Sequence, residues 1–438
     1  MKRIASLIVP LLVAGIGAGP ARAQTAQREI DTITVPKPTA LDSLRLRVAA
    51  LERALGSRRA AGATDALPPS MFDNGFTFVG ADDELRLGGW AQIDGRAMTP
   101  DTAGINTVGL RRVRLYGTGR LEHVFGYRIE LRLDDGRAAL QEVWAEFAQD
   151  RGFRVRGGQF KEPFSREALA SSKYIDFVDG SAAVSGLAPA EDIGLLVYGA
   201  GPRSRFEYGL GAFDGRGKNL TDNNDAKEIA ARLMVQPITG VYLGGSASTG
   251  RVDEARSGDA YRASGRSAFA IWGAGVTQVG KRTRLGADLE LFRGPASLKA
   301  EWIALRDRGV ARSGATIDVV ADGGYAAATW LVTGEQKSRN RAQEVKRPLG
   351  EDGGGLGAWE VVARLERMTF GRDAFSAGVL LGAPRLDAAT LGVNAYLNRH
   401  ITVAVNATRS WYAPAIGSSG PVPERRTWDW LVRTQFDF

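Results

Sequence analysis

From Glu84 to the C-terminus the sequence alternates apolar and polar residues with a period of two. Tyr127, Ile129, Leu131 and Leu133 are separated by Arg128, Glu130, Arg132 and Asp134 without a break. Leu285, Ala287, Leu289 and Leu291 stand opposite Arg284, Asp288 and Glu290. At the C-terminus Trp428, Trp430, Val432, Phe436 and Phe438 share a face against Asp429, Arg433, Gln435 and Asp437. This period is that of a strand whose two faces meet different surroundings. A soluble sandwich of this length would contain strands apolar on both faces, or helices covering the sheet. Neither is evident. A barrel in lipid, apolar outward and polar toward its lumen, accounts for the alternation. The expected fold class is all-β, a transmembrane antiparallel β-barrel.

Seventeen runs read as strands, beginning near Leu85, Gly109, Gly126, Ala139, Phe153, Asp192, Arg205, Ala226, Gly240, Ser267, Thr283, Ala296, Tyr325, Trp359, Leu386, Ile401 and Trp428. A bacterial barrel with both termini on one side needs an even number. Counted back from Phe438, the turns at Asn398-Arg399-His400 and Arg293-Gly294-Pro295 fall on the periplasmic side, where short turns belong. That parity absorbs the run at Ser267 into an external loop over residues 250–281 and leaves sixteen strands. It also puts residues 333–357, long for that rim, on the periplasmic side.

About thirty residues, 161–190, separate the run at Phe153 from the one at Asp192, far more than a hairpin requires. They carry Phe164, Leu169, Tyr174, Ile175, Phe177, Val178 and Val184. Such an apolar loop must pack on something, and in a large barrel the available place is the lumen. A constriction loop over 161–190 is therefore expected.

Residues 1–70 follow other rules. Lys2 and Arg3, the apolar run from Ile4 to Ile16 and the Ala21-Arg22-Ala23 cleavage pattern mark residues 1–23 as an expected signal peptide, with the mature chain starting near Gln24. The apolar run is too short to span a membrane comfortably. Within 24–70, polar Pro-containing linkers flank Leu41, Leu44, Val48, Leu51 and Leu55 at a and d spacing, closed by Gly56. Two heptads are marginal alone, so the short coiled coil needs partners held close, as three copies of a barrel over 71–438 would hold them. A lone amphipathic periplasmic helix is the simpler alternative.

The chain has 438 residues, no Cys and a formal charge of +8, from 10 Lys and 47 Arg against 49 acidic residues. The lack of Cys removes disulfides and thiolate metal sites. A GC-rich coding sequence would favour Arg as well, but Arg also offers a planar fork suited to phosphate and carboxylate. Basic and acidic residues interleave on nearly every strand, so no basic domain points to nucleic acid. The only histidines, His123 and His400, fall in expected periplasmic turns, and neither a GxSxG elbow nor an HExxH helix occurs. The segment Gly215-Arg216-Gly217-Lys218-Asn219 lacks the first Gly and the hydroxyl of a phosphate loop. No enzyme, cofactor or metal is expected.

The alternation sends Arg112, Arg114, Arg154 and Arg156 inward, together with a comparable number of acids. Loop 161–190 holds Lys161, Arg166 and Lys173 against Glu162, Glu167, Asp176 and Asp179. Lys161 and Arg166 are expected to face the pore while the acids bind the wall. Further basic candidates are Arg262 and Arg266 in the external loop, and Lys337, Arg339 and Arg341 in the periplasmic segment.

The runs GGQFKEPFSREALASSKYIDFVD and LAPAEDIGLLVYG resemble the phosphate-selective porin O and P family of Gram-negative outer membranes. LRRVRLYGTGRL, RTRLGADLELFRGPASLKAEWI, YAAATWLVTGE and GAWEVVARLERM extend the resemblance from about Phe72 to Phe438. The resemblance implies an outer-membrane barrel passing anions such as phosphate, additional loops folded into the lumen, and paired arginines on the anion path, here Arg111 and Arg112. Phe438 looks like the terminal aromatic read by the barrel assembly machinery. The reading is a trimeric porin in outer-membrane lipid. A general diffusion porin without phosphate preference and a structural tether to the cell wall are the alternatives.

Overall fold

The computed structural model describes residues 75–100, 106–134, 136–350, 354–416 and 424–438. The expected signal peptide, linkers and coiled coil lie outside the described residues. The chain opens with a short strand β1 (Phe76–Val79), followed by β2 (Glu84–Thr99), β3 (Thr107–Leu121), β4 (Phe125–Arg132), β5 (Ala139–Ala148), β6 (Arg154–Lys161), β7 (Glu191–Ala200), β8 (Phe206–Phe213) and β9 (Glu228–Val235). The second half contains β10 (Val241–Ala255), β11 (Ala260–Arg262), β12 (Ala268–Trp272), β13 (Thr277–Arg293), β14 (Ala296–Arg312), β15 (Ala315–Leu331), β16 (Ala358–Phe370), β17 (Leu380–Gly382), β18 (Arg385–Tyr396), β19 (Ile401–Tyr412) and β20 (Arg426–Asp437). Short helices α1 (Arg166–Leu169), α2 (Ala182–Leu187) and α3 (Arg372–Ser376) lie between strands.

Sixteen of these strands pair antiparallel with their neighbours and close on themselves where β2 meets β20, from Trp90 opposite Asp437 to Thr99 opposite Trp428. The amide of Phe438 donates to Gly89 O at 2.9 Å and its carbonyl accepts from Gly89 N at 3.0 Å, completing the seam. Closure leaves no unpaired strand edge in the wall. The alternation sets the two faces as expected: Leu365 and Leu391 point outward and are 66% and 67% exposed, while Glu290 and Glu360 point inward and are fully buried.

Two local expectations differ. β10 continues to Ala255 and β13 starts at Thr277, so the external connection covers only 256–276 rather than 250–281. As the strand parity requires, the run at Ser267 stays out of the wall; it is a strand, β12, that joins β11 and β17 in a separate three-stranded sheet. β15 begins at Ala315, ten residues before the expected start at Tyr325. Its first half inverts the usual polarity: Val319 and Ala321 are buried inward while Asp318 and Asp322 are exposed outward. The alternation read as membrane-facing is therefore lost there.

The inversion has a cause inside the barrel. The small sheet, α2 and α3 form one apolar cluster with the inner wall, containing Tyr261, Phe269, Trp272, Phe370, Phe375 and Tyr412. Tyr261 and Phe370 pack with their rings tilted by 58° and their centroids 4.6 Å apart. Burial of each such ring contributes about 1.5–3 kcal/mol. The external connections thus fold back as a packed core and fill part of the lumen.

Candidate functional site

Loop 161–190 leaves the wall at β6, returns at β7, and binds the far side. Ser165 caps α1 by accepting from Ala168 N, and its hydroxyl donates to Glu301 on β14 at 2.5 Å. Arg166 pairs with Glu290 on β13 and donates to Asn340 at 2.9 Å. Asp176 lies between Lys299 at 2.6 Å and Lys337 at 2.8 Å. Asn394 on β18 donates to Asp176 O at 2.8 Å, and Val178 N donates to Asn406 on β19 at 2.7 Å. At the tip, Asp179 is met by Arg266, by Arg433 on β20 at 3.7 Å and by Arg111 on β3 at 3.8 Å. Phe164 and Phe177 are buried.

These pairings order the loop electrostatically. Burial alone would raise the carboxyls of Asp176 and Asp179, but the surrounding cations outweigh it and hold both below the usual carboxylate range. Burial would lower the Lys337 ammonium, yet Asp176 and Glu360 hold it well above its ordinary value. Glu167 is pushed up, mainly by burial, and accepts from Ser181 N at 2.7 Å inside the loop.

On the other side of the loop lies a cavity of about 730 Å³. It is bounded by the wall from β4 to β10 and at Phe292 on β13, by the start of loop 161–190 and by residues 336–341 of the connection between β15 and β16. Its cationic side chains are Arg128, Arg156, Lys161, Arg166, Arg203, Arg232, Lys337, Arg339 and Arg341; its acids are Glu142 and Glu207. Several cations are fixed by partners outside the cavity face. Arg232 pairs with Asp288 at 2.5 Å, Arg156 with Glu146 at 2.7 Å, and Arg339 with Glu290 at 2.7 Å. Arg156 stacks 4.0 Å from the Trp144 ring centroid and Arg339 3.9 Å from that of Tyr242, so aromatic faces hold the guanidinium planes. Arg203 and Arg341 are exposed and make no ion pair among the described residues.

A second cluster surrounds the loop tip. Gln92 on β2 lies opposite Arg112 and Ile93 opposite Leu110, so Arg111 is the extra residue of a β-bulge. The bulge turns both arginines toward the lumen, which strict alternation forbids. Arg112 donates to Gln92 Oε1 at 3.0 Å, and Arg111 reaches Asp179. Arg433 grips Asp94 through both nitrogens at 2.7 and 2.8 Å, and Arg266 reaches the same carboxylate.

The anticipated residues thus divide. Arg156, Lys161, Arg166, Lys337, Arg339 and Arg341 meet in the cavity. Arg166 does not stand free toward the pore: it is buried against Glu290, because the wall supplies a carboxylate where the loop crosses. The acids Asp176 and Asp179 do bind wall cations. Lys161 donates to Ala170 O at 2.7 Å. Arg111, Arg112 and Arg266 gather at the loop tip, whereas Arg262 is exposed and donates to Arg266 O at 3.2 Å. Arg114 pairs with Asp134 and Glu130 along the wall. Arg154 is buried beside Glu146 at 3.9 Å, and Lys173 reaches Asp437 at 3.4 Å. Arg203 was missed, since it sits in a turn without periodicity; Arg433 and Asp94 were missed as tip partners, since only long-range pairing assembles them.

The family model for phosphate-selective porin O and P matches residues 86–426. Among solved structures the chain is similar to OmpT of Vibrio cholerae in its trimer form, at 10% identity, covering 81% of this chain and 99% of that one, with a TM-score of 0.54. It is likewise similar to an anion-selective porin from Comamonas acidovorans, at 12% identity, 81% and 100% coverage and a TM-score of 0.52. The outer membrane channel DcaP of Acinetobacter baumannii gives 9% identity, 83% and 99% coverage and a TM-score of 0.53. At such identities these likenesses concern the fold. No curated protein matches the sequence. With a closed sixteen-stranded barrel and a family match over most of its length, this chain belongs to the phosphate-selective porin O and P family of outer-membrane porins.

Proposed function

We propose that this outer-membrane porin passes small anions, phosphate among them, through a lumen narrowed by loop 161–190. The observation that carries the reading is the cavity with nine cationic side chains against two acids. An entering anion exchanges part of its hydration for guanidinium and ammonium donors. It leaves by stepping between sites that are each weak, because most of the cations already share a carboxylate. Lys161, Arg203 and Arg341, which make no ion pair among the described residues, offer the first contacts, and Arg111 and Arg112 form a second station. No chemistry on the ion is required. Replacing Arg203 and Arg341 by Gln is expected to lower the anion-to-cation permeability ratio roughly twofold or more; an unchanged ratio in an inserted channel would contradict the cavity's role. A general diffusion porin would show no block of chloride current by phosphate, and a mere tether to the cell wall would show no channels at all.

We also propose a homotrimer, in line with a structural neighbour described in its trimer form. Leu41, Leu44, Val48, Leu51 and Leu55 would add a short coiled coil between copies. The expected particle in mild detergent has three chains and weakens on removal of 41–55 without unfolding of the barrel. A monomeric intact protein would end that claim.

Phe438 is proposed as the assembly signal. Its side chain is exposed on the outer face, so folded-state packing gives little reason for its presence. Phe438→Ser should reduce the yield of heat-modifiable barrel in the outer membrane several-fold, whereas an undiminished yield would remove the role.

A further inference from the structure

Six arginines stand on the outward face of the wall, in line with residues that face lipid: Arg306 and Arg308 on β14, Arg367 on β16, Arg385 on β18, Arg409 on β19 and Arg426 on β20. They share faces with exposed apolar residues, Trp302 with the first pair, Leu365 with Arg367, Leu391 with Arg385, and Trp428 and Trp430 with Arg426. Their height is set by strand geometry. Trp359 and Phe436 mark the periplasmic end of the wall; Arg367 lies about eight positions above Trp359 and Arg426 about ten above Phe436. At a rise of about 3.3 Å per residue and a tilt of about 40° this is roughly 20–25 Å, the height of the apolar band. The arginines therefore form a belt at the headgroup level of the outer leaflet.

The belt is held open toward lipid. Arg306 and Arg308 approach Asp318 at 2.8 and 3.9 Å, and Arg385 and Arg367 both pair with Asp387, the former at 3.0 Å. Even so paired, the side chains of Arg306, Arg308, Arg367 and Arg385 remain 52–66% exposed. Among the described residues, Asp318 and Asp387 are the carboxylates that pair with these guanidinium groups, and they fix the forks from one side while leaving much of each arginine exposed. Trp411 lies opposite Asp387 on one strand and Arg426 on the other, and Arg409 stacks 5.0 Å from the Trp428 ring centroid. Indole rings beside cations suit the boundary between acyl chains and a charged headgroup.

We propose that this belt binds the phosphate groups of a phosphorylated glycolipid in the outer leaflet. Charge complementarity selects the ligand: bidentate guanidinium matches phosphate, and the excess of cations at this height would otherwise face lipid unneutralised. The proposal is independent of the pore, whose residues face the other way.

The test is native mass spectrometry of the full chain in mild detergent, with bisphosphorylated lipid A and its dephosphorylated form as probes. The wild type is expected to retain the phosphorylated lipid about tenfold better, and the Arg367→Gln/Arg385→Gln/Arg426→Gln variant to lose that preference at unchanged single-channel conductance. The single variant Arg426→Gln, whose side chain makes no ion pair among the described residues, should lose part of it and serves if the triple variant does not fold. Equal retention of the two lipids, or a variant that keeps the preference, overturns the proposal. A variant that loses subunits while its lipid preference is intact would assign the belt to contact with a second copy, and also overturns it.

Discussion

Deleting Ala168 to Ser181 is expected to raise single-channel conductance about threefold or more. The deleted segment spans from the α1 end of the loop to the cap of α2 and carries Asp176 and Asp179, its two strongest attachments to the far wall. Without it the lumen should widen where it is now crossed. Breaking buried ion pairs from one side costs about 3–5 kcal/mol each when the surviving charge stays buried. Here Lys299, Lys337 and Arg433 would instead face the water of the widened lumen, so the barrel is expected to retain its fold and its heat-modifiability. Those cations, no longer neutralised by loop carboxylates, should keep the channel anion-preferring. A folded, inserted deletion variant with unchanged conductance would show that the loop does not limit the pore.

The Arg111→Ala/Arg112→Ala variant should shift the reversal potential toward cations and weaken block by phosphate about tenfold. Two lumenal charges lost near a partly hydrated path correspond to roughly 1 kcal/mol or more of anion stabilisation. The design is clean because Asp179 keeps Arg433 and Arg266 when Arg111 is gone, so the loop stays docked while the path loses charge. Wild-type selectivity in this variant would favour a general diffusion porin over the arginine-lined path.

The wall was legible because a barrel in lipid imposes one rule on each strand, apolar out and polar in, and that rule is local. Where something other than water fills the lumen the rule fails. Val319 and Ala321 turn inward onto a packed core, and the sequence there no longer looks like wall. The same holds for β12, which resembles a barrel strand locally but pairs with β11 and β17. The Arg111-Arg112 pair broke the alternation visibly, yet the bulge that orients it depends on the partner strand. Arg166 illustrates the limit for the site. Its charge and early position in the loop suggested a free cation, whereas a carboxylate 124 residues away captures it. Such pairings are set by closure of the ring and leave no mark in the neighbouring sequence.

Anion passage is tested by the reversal potential of the purified wild-type channel in a planar bilayer under a potassium chloride gradient, before and after adding phosphate. An anion path gives a potential of the sign set by chloride, and a chloride current that falls as phosphate occupies the cationic side chains. A potential of the sign set by potassium, or no preference with no effect of phosphate, would contradict it.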